Sequence, residues 1–170
     1  MPPELEQLRI VVGSDDAGRS YKDLLVEAMR SDGRVAEVQD VADGLPAGAV
    51  YPAVAVAAAE RVAAGRADRA LLVCHTGLGM AIAATKVPGI RAVTAHDVVS
   101  VRASVLSNDA QVLTLGQGVI GLALARRLVD EWLAYRFVPG SSAAAKLAVI
   151  SAYEQQHRGL GVGAGVGRGC

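Results

Sequence analysis

The chain has 170 residues, no net formal charge and an apolar fraction of 52%, with aromatic residues at only 4%. This length fits one domain of ordinary size, and the composition predicts a core of Ala, Val, Leu and Ile. The balanced charge gives no reason to expect nucleic acid or a membrane surface as a partner. Two cysteines, Cys74 and Cys170, exclude a disulfide scaffold and a four-cysteine zinc site. Without a long apolar run or a signal peptide, the protein is expected to be soluble and cytoplasmic.

Short apolar runs alternate with segments of helical period along the chain. Strands are predicted at 8–12, 35–41, 69–74, 90–95 and 111–115, and helices at 20–30, 52–65, 80–86, 97–106, 119–134 and 143–156. Because the predicted strands are continuous apolar runs, they are typical of a parallel sheet that helices cover on both faces. Residues 1–156 are therefore interpreted as a single α/β domain, and the Gly-rich segment 157–170 as a disordered tail.

Ligands of an open parallel sheet bind outside the carboxyl ends of its strands, so the residues there are the candidate site residues. Cys74 ends the third predicted strand and precedes a Gly-rich turn that opens a helix, where an anionic thiolate is favoured. The alternative for Cys74 is a buried cysteine that acts as a small hydrophobic residue. Thr76, Gly77 and Gly79 either present donors to an oxyanion or phosphate, or form a tight structural turn.

Other polar residues end the first, third and fourth strands. Paired carboxylates such as Asp15 and Asp16 can bind sugar hydroxyls, position a water or hold a metal, and the alternative is a turn aspartate and a helix cap. His96 is either an acid/base group or a structural histidine. His75 adjoins Cys74, but neighbouring side chains often point apart, so this pair is not by itself a catalytic pair.

Four further positions lie near the starts of elements. Tyr51 opens the second helix, where the alternative is a packing tyrosine, and Asn108 precedes the fifth strand, where the alternative is an ordinary turn. Asp97 and Ser142 are predicted N-caps of the helices that follow them.

Several of these segments resemble one family in the same order. The family comprises type B ribose-5-phosphate isomerases and galactose-6-phosphate isomerase subunits. Its first-strand signature Gly-x-Asp-His-Ala-Gly is similar to 13–18, its Tyr-Pro to 51–52, and its Lys-x-x-Gly-Ile-Arg-Ala to 86–92. Its Cys-Gly-Thr-Gly-x-Gly signature and the helix after it resemble 74–86, with His75 and Thr85 as departures. The similarity covers about residues 8–155.

The resemblance implies a Rossmann-like, three-layer α/β/α fold with a five-stranded parallel sheet and an extra C-terminal helix. It also implies a homodimer or homotetramer with active sites shared between subunits, and no metal or organic cofactor. The implied reaction is aldose–ketose isomerisation through a cis-enediolate, in which Cys74 is the base. Thr76 and the backbone N–H groups of 77–79 would then hold the enediolate. Contacts to sugar hydroxyls, or help with proton transfer at oxygen, are implied for Asp15, Tyr51 and Asn108.

Departures from the family bear on the substrate. Ser107 stands where the family has the histidine credited with opening the furanose ring, and Asp16 replaces the histidine of the first-strand signature. Because serine does not titrate near pH 7, a substrate that cannot close a stable ring is favoured. Four-carbon 4-phosphates meet this condition, with D-erythrulose 4-phosphate and D-erythrose 4-phosphate first. The stretch 104–113 is also similar to that of a D-erythrulose-4-phosphate isomerase branch.

The phosphate site is the other departure, because Gly118, Ser141 and Ala145 occupy the positions of three family arginines. Ser141, Ser142, the last helix N-terminus and Lys146 are candidates to replace part of it. The alternatives that remain are a ribose-5-phosphate isomerase, an isomerase of an unphosphorylated sugar, and a non-catalytic or partner-dependent sugar-binding subunit. The candidate catalytic residues are Cys74 and Thr76, and the candidate substrate contacts are Asp15, Asp16, Tyr51, His75, Gly77, Gly79, His96, Ser107, Asn108, Ser141 and Ser142.

Overall fold

The computed structural model describes residues 6–158, in which strands and helices alternate. The strands are β1 (Leu8–Ser14), β2 (Val35–Asp40), β3 (Arg69–Cys74), β4 (Ala92–Thr94) and β5 (Val112–Gly116). The helices are α1 (Arg19–Arg30), α2 (Tyr51–Ala63), α3 (Leu78–Ala84), α4 (Val98–Leu106), α5 (Leu122–Ala134) and α6 (Ser142–His157). A short 3-10 helix, Val41–Gly44, follows β2. No helix in this part of the chain has the length and apolar character needed to cross a membrane.

The five strands form one parallel sheet in the order β2-β1-β3-β5-β4. The register pairs Ser14 with Val73 and Cys74 with Gly116, so the carboxyl ends of β1, β3 and β5 meet at one edge. The predicted Rossmann-like α/β fold is confirmed, including the helix after the last βα unit. The tail is predicted to begin at 157, but α6 extends to His157, and residues 159–170 lie outside the described residues.

The core is divided by the sheet into two apolar clusters. The cluster on the α1/α4/α5 face includes Leu25, Met29, Val101, Leu128 and Trp132. The cluster on the α2/α3 face includes Val54, Ala58, Met80 and Ala84. Along β3, Leu71 and Val73 belong to the first cluster, whereas Leu72 and Cys74 belong to the second. Successive side chains of a strand point to opposite faces, so the Cys74 side chain lies on the α2/α3 face.

Most element boundaries differ from the sequence prediction by one or two residues, and the start of α5 differs by three. Strand β4, an edge strand, spans only the three residues that pair with β5. Helix α5 begins at Leu122 rather than at 119, because the N–H groups of Val119 and Ile120 both donate to the carbonyl of Gly116. These two hydrogen bonds close a turn before the helix begins.

The two predicted helix caps have different outcomes. Asp97 is confirmed as the N-cap of α4, because its Oδ1 accepts a hydrogen bond of 2.7 Å from the Ser100 N–H. The prediction for Ser142 is wrong, since Ser142 is the first residue of α6 and Ser141 is the N-cap residue. The Ser141 side chain does not cap the helix either, because its buried hydroxyl has no hydrogen-bond partner among residues 6–158.

Candidate active site

Cys74 and the Gly-rich turn after it form the centre of the candidate site. Cys74 is a free cysteine that is only 6% exposed, and its Sγ accepts a hydrogen bond of 3.1 Å from the Gly77 N–H. Gly77 has φ +81°, a left-handed conformation that glycine adopts without steric cost. This conformation turns the chain back so that the Gly77 amide points at the sulfur. The sequence therefore builds a donor for a thiolate three residues beyond the cysteine itself.

Strand β5 and the turn after it hold the Cys74 turn from one side. The Gln117 N–H donates to the Cys74 carbonyl at 2.8 Å, and the Gly118 N–H donates to the His75 carbonyl at 2.9 Å. Gly116 lies against the Thr76 backbone, where an added Cβ would be 2.6 Å from the Thr76 carbonyl carbon. A side chain at position 116 would therefore push the Thr76 backbone out of place.

Two aromatic side chains lie against glycines of the site. The Tyr51 ring covers Gly79, where an added Cβ would lie 2.5 Å from the ring atom Cε2. The His75 ring covers Gly118, where an added Cβ would lie 2.2 Å from Cε1. Tyr51 and His75 both remain exposed to solvent, so each ring has one face free for a ligand. The structure thus brings Tyr51, His75 and Gly79 together around the Cys74 turn.

Asp15 and Asp16 lie on the β1 side of the same sheet edge. Asp15 Oδ1 accepts a hydrogen bond of 3.1 Å from the Gly18 N–H, which is the behaviour of a turn aspartate. Asp16 forms an exposed ion pair of 2.6 Å with Arg19. Together with the segment 45–49, these three residues line a cleft of about 160 Å³. Neither aspartate is the N-cap of α1, because Gly18 takes that position.

His96 is tied to the backbone of β5. Its Nε2 accepts a hydrogen bond of 3.0 Å from the Gly116 N–H, so this nitrogen carries no proton. Burial lowers the pKa of His96, which favours the neutral ring. This geometry matches the structural alternative for His96, since it fixes the strand end that faces Cys74.

Ser107 and Asn108 do not lie at the edge that holds Cys74. They precede β5, so within one chain they lie at the amino end of the sheet. The Arg91 side chain holds the turn after Ser107 there, because its Nε donates to the Asn108 carbonyl at 2.9 Å and its Nη2 to the Asp109 carbonyl at 2.8 Å. Ser141 and Ser142 are also apart from the site: among residues 6–158, no hydrogen bond joins either side chain to the Cys74 turn.

Sequence reasoning missed two threonines that contact this turn. The hydroxyl of Thr114 in β5 donates to the Gly77 carbonyl at 2.9 Å and lies 2.7 Å from the Thr94 hydroxyl. Thr114 is the single polar side chain in the apolar run of β5, and that anomaly is the signal that points to it. Within the described ranges, no three His, Cys, Asp or Glu side chains come together as a metal-ligand set.

The fold and this Cys74 turn place the chain in a class of sugar isomerases. Residues 10–150 match the family model described as Ribose/Galactose Isomerase, and the chain belongs to this family. D-erythrulose-4-phosphate isomerase 2 of Mycolicibacterium smegmatis is 61% identical over 148 residues, which are 86% of this chain and 97% of that relative. D-erythrulose-4-phosphate isomerase of Pectobacterium atrosepticum is 38% identical over 152 residues, 89% of this chain and 98% of the relative. The structure of ribose-5-phosphate isomerase B of Clostridium thermocellum has a TM-score of 0.80 and 37% identity, covering 87% of this chain and 98% of the other.

Proposed function

We propose that the protein interconverts a short-chain aldose phosphate and ketose phosphate, with D-erythrulose 4-phosphate and D-erythrose 4-phosphate as the favoured pair. The observation that carries the proposal is the hydrogen bond from the Gly77 N–H to the Cys74 sulfur, just before the start of α3. A thiolate stabilised in this way is a base that can act at neutral pH. The relative from Mycolicibacterium smegmatis that bears the D-erythrulose-4-phosphate isomerase name supports the four-carbon substrate.

The proposed reaction moves one proton between neighbouring carbons. The Cys74 thiolate takes a proton from C1 of the ketose, and the electron pair moves to the carbonyl oxygen, which gives a cis-enediolate. The thiol then returns the proton to C2, while a proton moves between the two oxygens. Atoms and charge balance without an oxidant. Negative charge develops on oxygen, so donors fixed around that oxygen favour the reaction.

Donors for this oxygen are available beside the base. Gly79 lies in the first turn of α3, where helix N–H groups have no acceptor within the helix. The Thr76 hydroxyl lies in the same turn and is 3.4 Å from the Leu78 nitrogen. One donor aimed at a developing oxyanion contributes roughly 3–4 kcal/mol to lowering the barrier. We infer that Thr76 and the N–H of Gly79 share this role, with Asp15, Tyr51 and His75 around the sugar.

A homodimer with shared sites is part of the proposal. Ser107 and Asn108 lie at the far end of their own sheet, so they can reach a Cys74 turn only from a second subunit. Large apolar side chains on α3, α4 and α6 support an interface of this kind, because solvent exposure of such residues is unfavourable. They are Leu78, Ile82, Val99, Val149, Ile150 and Tyr153. The free thiol of Cys74 also fits a reducing compartment, and we propose a cytoplasmic location.

Mixing two inactive variants tests the shared site. Cys74→Ser and Asn108→Ala homodimers are each expected to lose most activity. When the two variants are mixed and exchange subunits, each hybrid dimer has one site that combines Cys74 of one subunit with Asn108 of the other. Activity is expected to return at that site. Activity that stays at the level of the separate variants, although native mass spectrometry shows hybrid dimers, would contradict the shared site.

Proton exchange followed by NMR in deuterated water tests the activity itself. The panel is D-erythrulose 4-phosphate, ribulose 5-phosphate and unphosphorylated erythrulose. We expect deuterium at C1 of the four-carbon phosphate and none with the Cys74→Ser variant. Exchange that survives in Cys74→Ser would refute the cysteine base. Faster exchange with the five-carbon phosphate would favour a ribose-5-phosphate isomerase, a candidate that the Clostridium thermocellum structure supports.

A further inference from the structure

We propose that Thr114 is a positioning residue that sets the reactivity of the Cys74 thiol through the backbone of Gly77. This inference rests on the proposed function, in which Cys74 is the base. Thr114 is fully buried in the middle of β5, on the same α2/α3 face of the sheet as Cys74. A buried hydroxyl must form hydrogen bonds, so the groups that it bonds to are informative about its role.

The hydroxyl of Thr114 joins β4 to the Cys74 turn. Its Oγ1 lies 2.9 Å from the Gly77 carbonyl oxygen, 2.7 Å from Thr94 Oγ1 and 3.3 Å from the Val93 carbonyl oxygen. A hydroxyl has one proton to donate, and the Gly77 carbonyl is the nearer of the two carbonyl acceptors. Thr94 can then donate to Thr114, and Thr114 to Gly77, in one polarised chain.

Holding the Gly77 carbonyl also holds the Gly77 N–H. The two groups belong to one residue, so only its φ and ψ torsions separate them. Glycine populates positive and negative φ about equally, so its backbone alone does not favour the φ of +81° at Gly77. Contacts at both ends of the residue must therefore hold this conformation. They are the Thr114 hydroxyl and the Ala81 N–H on the carbonyl, and the Cys74 sulfur on the amide.

Close packing supports the same role. A Cβ added at Gly77 would lie 3.0 Å from Thr94 Cγ2 and 3.2 Å from Thr114 Oγ1. Both threonines therefore abut the residue whose N–H faces the sulfur. Loss of the Thr114 hydroxyl leaves the Ala81 N–H as the remaining donor to the Gly77 carbonyl, so Gly77 is held less firmly and the hydrogen bond from its N–H to the thiolate weakens.

The variant Thr114→Val tests the proposal, because it replaces the hydroxyl with a methyl group of similar size. The matched control is Thr85→Val, which removes another hydroxyl-to-carbonyl hydrogen bond, the exposed one from Thr85 to Ala81 at the end of α3. The reactivity of Cys74 is measured as its rate of alkylation by iodoacetamide between pH 5 and 10, followed by mass spectrometry of the Cys74 peptide. The ionisable groups around the turn are unchanged in both variants; they are Asp15, Tyr51, His75 and His96.

For Thr114→Val we expect the alkylation rate of Cys74 at pH 7 to fall about five- to tenfold and the midpoint of its pH profile to move upward. In the isomerase assay kcat should fall about tenfold, while KM changes less than about twofold, because the effect is on the base. Thr85→Val should match the wild type, and Thr114→Ser, which keeps the hydroxyl, should restore the wild-type pH profile.

An unchanged alkylation profile in folded Thr114→Val would overturn the proposal, as would an equal shift in Thr85→Val. If circular dichroism shows that Thr114→Val does not fold, Thr94→Val decides, because it removes the next hydroxyl of the chain and leaves Thr114 in place. A smaller shift in the same direction then supports the proposal, and no shift refutes it. Alkylation needs no substrate, so its result remains interpretable even if Cys74→Ser proves to be an active isomerase.

Discussion

Gly18 is the position at which a single methyl group is expected to disturb both stability and activity. It is the N-cap of α1 and has φ −109°, a conformation open to any residue, so its backbone does not require glycine. Glycine is required here because there is no room for a side chain. A Cβ at Gly18 would lie 2.1 Å from the carbonyl oxygen of Val73 and 2.8 Å from the nitrogen of Cys74. The start of α1 thus lies directly on the end of β3, at the peptide that precedes Cys74.

The size of the effect follows from these distances. The Cβ and the Val73 oxygen must separate by about 0.9 Å to reach 3.0 Å, below which such contacts essentially do not occur. The obstacle is backbone and cannot rotate away, so either the first turn of α1 or the end of β3 must move. Overpacking of this kind costs about 1–3 kcal/mol in a packed core. For a chain of this size, each kcal/mol lowers Tm by about 2–4 °C.

Urea unfolding and the isomerase assay measure the two consequences of Gly18→Ala. The matched control is Gly33→Ala, because a Cβ at Gly33 meets no atom within 4 Å. We expect Gly33→Ala to leave the free energy of unfolding unchanged or raise it by about 0.4–1 kcal/mol. Gly18→Ala should lower it by about 1–3 kcal/mol and lower kcat, since the Cys74 backbone is displaced. Equal stability and activity of the two variants would refute this steric argument.

Three other variants test the core and its ionisable groups. Leu113→Ala, at a fully buried position of β5, should lower the free energy of unfolding by about 2–5 kcal/mol, and a loss below about 1 kcal/mol would contradict tight packing. Burial lowers the pKa of His96, so the unfolded chain binds the proton first and stability should fall as the pH drops below about 6.5. Urea titrations should show this loss reduced in His96→Gln; an identical pH dependence would exclude His96 as its source. Hydrogen bonds from Arg9 lower the pKa of Asp68, so its stabilisation is present above about pH 4 and lost below it. The difference in urea midpoint between wild type and Asp68→Asn should therefore shrink below about pH 4, and a constant difference would contradict this.

The sequence predicts the central strand β3 better than the edge strand β4. Residues 69–74 form β3 as predicted, because a continuous apolar run inside a parallel sheet is buried on both faces. The run 90–95 is apolar for a different reason. Ile90 and Ala95 are buried in the core, but they lie outside the three-residue strand β4. Burial and strand pairing are separate properties at a sheet edge, and a hydrophobic pattern reports only burial.

The candidate site likewise has a part that local sequence reveals and a part that depends on how the strands pair. Local signals suffice for the Cys74 turn, since its glycines and the strand before it are contiguous in the chain. They do not suffice for Thr114, because its contact with Gly77 depends on the register that places β5 beside β3. The place of Ser107 and Asn108 at the opposite end of the sheet from Cys74 follows from their position before β5, once the sheet is known to be parallel.

Backbone contacts and one hydroxyl, rather than charged side chains, fix the Cys74 turn in this fold. Gly18 on the β1 side and Gly116 on the β5 side each leave room for the Cys74 turn, and Gln117 and Thr114 bond to its carbonyl groups. Of the positions where the resemblance would place phosphate-binding arginines, only Gly118 contacts this turn, and it does so through its backbone N–H, which donates to the His75 carbonyl. Substrate recognition can therefore change through exposed loops while the thiol keeps its environment. This separation explains how a chain with Gly118, Ser141 and Ala145 can retain a complete turn around Cys74.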